Sequence, residues 1–105
     1  MNTLDMKISR EIKKELVKEF NVIDIKAFGS RSREDGDQYS DLDIYINVEK
    51  VNRDIKEKIR TITWEIGLSH GIVISPLIFS RDEIETSALK SSPIVKSIMY
   101  EGISI

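Results

Sequence analysis

Eight consecutive residues, Asp41-Leu42-Asp43-Ile44-Tyr45-Ile46-Asn47-Val48, alternate without a break. In an extended strand Leu42, Ile44, Ile46 and Val48 share one face, and Asp41, Asp43, Tyr45 and Asn47 share the other. That pattern fits a strand rather than a helix, and its apolar face demands a covering layer. It also sets two carboxylates side by side at the strand's entry, roughly 6–7 Å apart along the chain. Apolar burial gives no reason for such a pair, which repels itself unless a cation is near.

The rest of the chain alternates between helical and extended periods. Leu4, Ile8, Ile12, Leu16 and Phe20 recur every four residues among Lys and Glu, which predicts an amphipathic helix. Val22 to Phe28 reads as a strand, with Ile23, Ile25 and Ala27 against Asp24, Lys26 and Phe28. A polar loop from Gly29 to Ser40 carries Gly36. From Val51 to Leu68 a helical stripe returns (Val51, Ile55, Ile59, Ile62, Ile66), with Gly71 as its stop. Ile72 to Phe79 predicts a third strand, placed at an edge or a bulge by Pro76. Ser80-Arg81-Asp82-Glu83 is a capping box that opens a helix to about Lys90. Ser92-Pro93 opens a short helix holding Ile94, Val95, Ile98 and Met99 and ending near Gly102. The order α-β-β-α-β-α-α predicts an α/β (α+β) fold with a small mixed sheet and helices packed against it. Residues 1–105 show no linker or repeat and are expected to form one domain.

Composition narrows the chemistry. There is no cysteine and only one histidine, which excludes thiolate catalysis and Cys- or His-rich metal sites. Lys and Arg total 16 against 18 Asp and Glu, a net charge of -2 that disfavours a nucleic-acid partner. No apolar run approaches a membrane span and no signal peptide is evident, so a cytoplasmic location is expected. A nucleotide, which needs only a few placed cations, is not excluded.

The loop before the paired aspartates has what a nucleotide needs. Gly29 allows close backbone approach, Ser30 offers a hydroxyl and an N–H to a phosphate, and Arg31 and Arg33 can neutralise a triphosphate. Asp41 and Asp43 can share Mg2+, a hard ion that takes oxygen ligands and retains waters or phosphate oxygens. Separately, a Gly-Ser turn and a D-x-D at a solvated strand start are common; their combination between two strands is far more specific.

The run Gly29-Ser30-Arg31-Ser32-Arg33-Glu34…Ser40-Asp41-Leu42-Asp43-Ile44 resembles the signature of the DNA polymerase beta-like nucleotidyltransferases. More narrowly it is similar to the minimal nucleotidyltransferases, which read G-S-R-A-R-G…S-D-x-D. The later helix, the third strand running into Ser80-Arg81-Asp82-Glu83 and the ending Ile98-Met99-Tyr100-Glu101-Gly102-Ile103 are similar too. The resemblance implies transfer of a nucleoside monophosphate from a nucleoside triphosphate, with pyrophosphate released. Asp41 and Asp43 would be catalytic and hold Mg2+, while Gly29, Ser30, Arg31, Arg33 and Ser40 would bind the nucleotide. It also implies a small helical HEPN-type partner that the protein, as an antitoxin, modifies with AMP from ATP. The sequence leaves self-association open.

Two features depart from that pattern. A third carboxylate, expected on the third strand at Val73 or Ser75, is missing; Asp24 and Glu65 are candidate substitutes. Glu34 stands where relatives often have Gly and brings a negative charge near the phosphates. The departures raise an alternative function: a catalytically weak module of the same fold that acts by binding its partner.

Several residues have simpler readings. His70 is expected to cap a helix C-terminus. Lys13, Lys14 and Lys18 form a solvated face. Tyr45 and Asn47 lie on the carboxylate side and are within reach of a substrate. Trp64 and Leu68 fall opposite the apolar stripe of their helix. The simpler expectation is that the C-terminal helices cover them; the alternative is a partner surface.

Overall fold

A computed structural model of the chain describes residues 1–34 and 39–105. The predicted Gly36 of the polar loop lies outside the described residues. The elements are α1 (Thr3–Glu19), β1 (Val22–Phe28), α2 (Gly29–Arg33), β2 (Leu42–Val48), α3 (Arg53–His70), β3 (Ile74–Ser80), α4 (Arg81–Thr86), a 3-10 turn (Ala88–Ser91), α5 (Pro93–Glu101) and β4 (Ile103–Ser104). The sheet runs β3-β2-β1-β4. β1 pairs antiparallel with β2 and β4, and β2 pairs parallel with β3, so the sheet is mixed as expected.

Both faces of this sheet are covered. Ile25, Ala27, Leu42, Ile44, Ile46, Val48, Ile74 and Ile78 pack beneath α1 and α3. On the opposite face Tyr45 and Phe79 pack with Val95 and Ile98 of α5, joined by Phe28, Leu77 and Ile84. The carboxylate side of β2 is therefore open only at its start. Tyr45 (1% exposed), packed against α5, and Asn47 (5%) are buried, which corrects the expectation that they reach a substrate. The four apolar residues of β2 are buried as the alternation required.

The end signals act where the sequence placed them. Ser80 and Glu83 form both halves of the capping box, Ser92 caps α5 with Pro93 at its first turn, and Gly71 closes α3 at φ 70°. His70, the last residue of α3, bonds through Nε2 to Glu11 of α1 at 2.8 Å. The helix begun at Arg81 stops at Thr86 rather than Lys90, because Ser87 breaks it and caps the 3-10 turn. Pro76 does lie on an edge strand. The Val73 carbonyl accepts from the Leu42 amide at 2.9 Å, so by alternation Pro76 turns its nitrogen to the open side and costs the ladder nothing.

Two helix faces differ from expectation. In α1 Leu4 is exposed at 49% while Asp5 and Ser9 are buried with Ile8, Ile12 and Leu16. A row of residues four apart drifts by about 40° per step around a helix, so Leu4 has turned away from Leu16 whereas Asp5 lies within about 20° of it. In α3, Trp64 and Leu68 are each 64% exposed. The C-terminal helices do not cover them, because the apolar second face of the sheet claims α5 instead. No helix among the described residues is long and apolar enough to cross a membrane.

Candidate functional site

β1 ends at Phe28, and the chain turns at once through Gly29 into the single turn of α2. Gly29 has φ +76°, a conformation that glycine adopts without penalty. Its Cα also lies against Asp43: a Cβ built there would be 2.2 Å from the Asp43 Oδ2 and 3.2 Å from its Cγ. The Gly-Ser turn and the second aspartate, 14 positions later, thus form one constellation. The strand pairing explains it, since Phe28 is the cross-strand partner of Asp43.

Asp43 is half-buried, and its carboxyl is held above the ordinary range, first by burial and second by the negative charge of Asp41. Asp41, just ahead of β2, is exposed and two residues away on the same side. A cation beside both would relieve the repulsion and offset the desolvation. The donor set and the backbone cradle at Gly29 therefore fit one hard divalent ion, which would need further oxygen ligands from outside the chain.

Ser75 of β3 is the direct neighbour of Asp43 on the other side, in a parallel register that sends the two side chains the same way. The row Phe28–Asp43–Ser75 puts a hydroxyl, not a carboxylate, beside the buried aspartate. Val73 lies outside β3. The proposed substitutes lie elsewhere. Asp24 is paired with Asn47, four residues farther along β2, and its carboxylate is 3.7 Å from Lys26 Nζ. Glu65 is on α3, which covers the opposite face of the sheet. Among the described residues no group of three or more His, Cys, Asp or Glu is placed to hold a metal together.

The remaining motif residues divide by position. Ser30 is half-buried in the first turn of α2, beside Gly29. Ser32 is buried and donates to the Gly29 carbonyl at 2.8 Å, which fixes the turn. Arg33 is exposed at the end of α2. Glu34 follows in the left-handed region, φ 62°, its carboxylate 3.6 Å from the Met1 nitrogen. Arg31 has an arrangement the sequence did not suggest. Its Nε and Nη2 bond the two oxygens of Asp5 at 3.0 and 2.8 Å, and Nη1 donates to the Ser40 carbonyl at 3.0 Å. The sequence has Arg31 neutralise phosphate; in the structure its guanidinium is engaged by a buried acid and by the backbone. Ser40 enters through that carbonyl. The apolar period of α1 does not single out Asp5, although its helical phase, in line with Ile12 and Leu16, is a usable signal.

The sequence profile of the nucleotidyltransferase domain family matches residues 9–103. Among solved structures, a candidate nucleotidyltransferase from Sulfolobus solfataricus is 26% identical, with 77% of this chain and 71% of that one covered and a TM-score of 0.48. A toxin–antitoxin complex crystallised with AMP-PNP is 17% identical, with 93% of this chain and 69% of that one covered and a TM-score of 0.50. No curated protein matches.

Proposed function

The chain belongs to the nucleotidyltransferase domain family, and we propose that it is a Mg2+-dependent enzyme of the minimal type, moving AMP from ATP onto a protein partner. The observation that carries the reading is the contact between Gly29 and the Asp43 carboxylate, which joins the phosphate-binding turn to the carboxylate pair in one place. In this reading Asp41 and Asp43 hold the ion, which when bound neutralises the triphosphate and the charge of the departing pyrophosphate. Gly29 leaves the backbone bare for a phosphate, Ser30 donates to it, and Arg33 adds a positive charge at the rim. A protein acceptor fits a net charge of -2, which disfavours nucleic acid. The fold likeness to a toxin–antitoxin complex crystallised with AMP-PNP supports a protein partner and a nucleotide; in this reading the partner is a small helical HEPN-type protein.

One observation favours a second reading. Ser75, in register with Asp43, cannot act as a base at neutral pH. General-base catalysis contributes typically about 10²–10⁴-fold, so the chemistry is slow or the fold acts mainly by binding its partner.

Titration of Mg-ATP by calorimetry, into the wild type and into Asp41→Ala/Asp43→Ala, tests the site. Binding that requires both Mg2+ and the aspartates is expected. A folded wild type that ignores Mg-ATP sinks the enzymatic reading. Transfer of labelled AMP to a helical partner, lost in Asp43→Ala, separates the enzyme from the binding module.

A further inference from the structure

Asp5 is a carboxylate only 1% exposed, on the inner side of α1 among Ile8, Ser9 and Ile12. Burying an acid is costly unless it is paired and hydrogen-bonded. Here it is both. Arg31 forks onto it through Nε and Nη2, at 3.0 and 2.8 Å. The third guanidinium nitrogen, Nη1, donates to the Ser40 carbonyl at 3.0 Å. The guanidinium is a rigid plane, so these three bonds fix relative positions rather than merely supplying attraction.

The three points it joins are informative. Arg31 directly follows Gly29-Ser30, Ser40 directly precedes Asp41, and α1 is pinned in the core by Ile8, Ile12 and Leu16 at 0% exposure. Asp5 is itself held: its amide donates to the Asn2 side chain at 2.7 Å, and its carbonyl accepts from Ser9 Oγ at 2.8 Å. A buried ion pair is seldom better for stability than two apolar residues of similar volume. What an apolar pair lacks is the directed bond to Ser40.

We infer that Asp5 is a positioning residue of the nucleotide site: through Arg31 and the Ser40 carbonyl it sets the place of Asp41 relative to the Gly29-Ser30 turn. The inference rests on the nucleotide-site reading above and adds to it a residue outside the motif, on the first helix. It reverses the role that sequence alone gives Arg31. If Arg31 were a phosphate ligand, Asp5 would compete with the nucleotide for it. If Arg31 is a clasp, Asp5 assists nucleotide binding.

The two roles give opposite results in Asp5→Asn. The clasp predicts that Mg-ATP affinity falls at least tenfold; tighter binding overturns it. Asp5→Leu/Arg31→Met replaces the pair with apolar side chains of similar size and is expected to keep the fold. Its amides at Ser30 to Glu34 and at Asp41 and Leu42 are expected to exchange with solvent at least tenfold faster, without nucleotide, while those of β1 and α3 are unchanged. Its Mg-ATP affinity should fall with them. Unchanged exchange and affinity in the folded variant mean that the pair does not position the site and overturn the inference. Arg31→Lys, which keeps the charge but cannot fork, provides the same readouts should the double variant not fold. If the wild type binds no Mg-ATP, the nucleotide reading fails, and the exchange experiment still decides the clasp.

Discussion

Replacing Gly29 by alanine separates backbone strain from the contact that builds the site. Two glycines share a positive φ: Gly29 at +76° and Gly71 at +70°. For an L-residue the left-handed region costs about 1–2 kcal/mol, part of which, about 0.4–1 kcal/mol, is regained because alanine restricts the unfolded chain. A Cβ added at Gly71 would meet nothing within 4 Å, so Gly71→Ala should lose about 1 kcal/mol and nothing else. At Gly29 the new Cβ would lie 2.2 Å from Asp43 Oδ2, well inside contact distance. That oxygen is the end of a side chain that can rotate, so the clash is relieved by driving the carboxylate off its position. An off-rotamer side chain costs about 0.5–1.5 kcal/mol, which brings Gly29→Ala to about 2 kcal/mol. For a domain of this size that is a fall in Tm of roughly 8–16 °C. The functional loss should be disproportionate: calorimetry is expected to show Mg-ATP affinity reduced at least tenfold in Gly29→Ala and unchanged in Gly71→Ala. A double-mutant cycle completes the test. In an Asp43→Ala background, Gly29→Ala should destabilise no more than Gly71→Ala does. Wild-type affinity in a folded Gly29→Ala, or an equal loss in both glycine variants, refutes the reasoning.

Two further outcomes follow from the sheet. The Tyr45 hydroxyl is pushed up to about 12 by burial and by the charge of Asp24, against an opposing hydrogen bond from Asn47. The unfolded phenol ionises near pH 10.0 and the folded one later, so its contribution to stability is complete below pH 10.0 and is lost as the pH rises toward 12. Urea unfolding between pH 9 and 11.5 should show the wild type losing on the order of 2 kcal/mol more than Tyr45→Phe; parallel curves exclude Tyr45 as the group. Ser75→Asp restores a carboxylate next to Asp43. Without metal it should lower the Tm by like-charge repulsion, and Mn2+ should restore it with about tenfold tighter binding than in the wild type. Unchanged Mn2+ affinity would show that Ser75 does not face the carboxylate pair.

Much of this molecule is local and therefore legible in the sequence. The alternation of Leu42 to Val48, the capping box at Ser80, the Ser92-Pro93 start and the Gly71 stop are each decided within a few residues, by side-chain period or by bonds to the nearest backbone groups. The edge position of Pro76 follows from its missing N–H. The carboxylate pair and the Gly-Ser turn are legible because they are side chains at fixed spacing. Periodicity, however, states which face is apolar and not what will cover it. Tertiary packing sent α5 over Tyr45 and left Trp64 exposed. β4, two residues long, has no period to read and exists through pairing with Lys26 and Ala27. Gly29 meets Asp43 only because β1 and β2 pair in that register. Asp5 finds Arg31 across 26 residues because a buried carboxylate must be matched by whichever cation the fold brings to it.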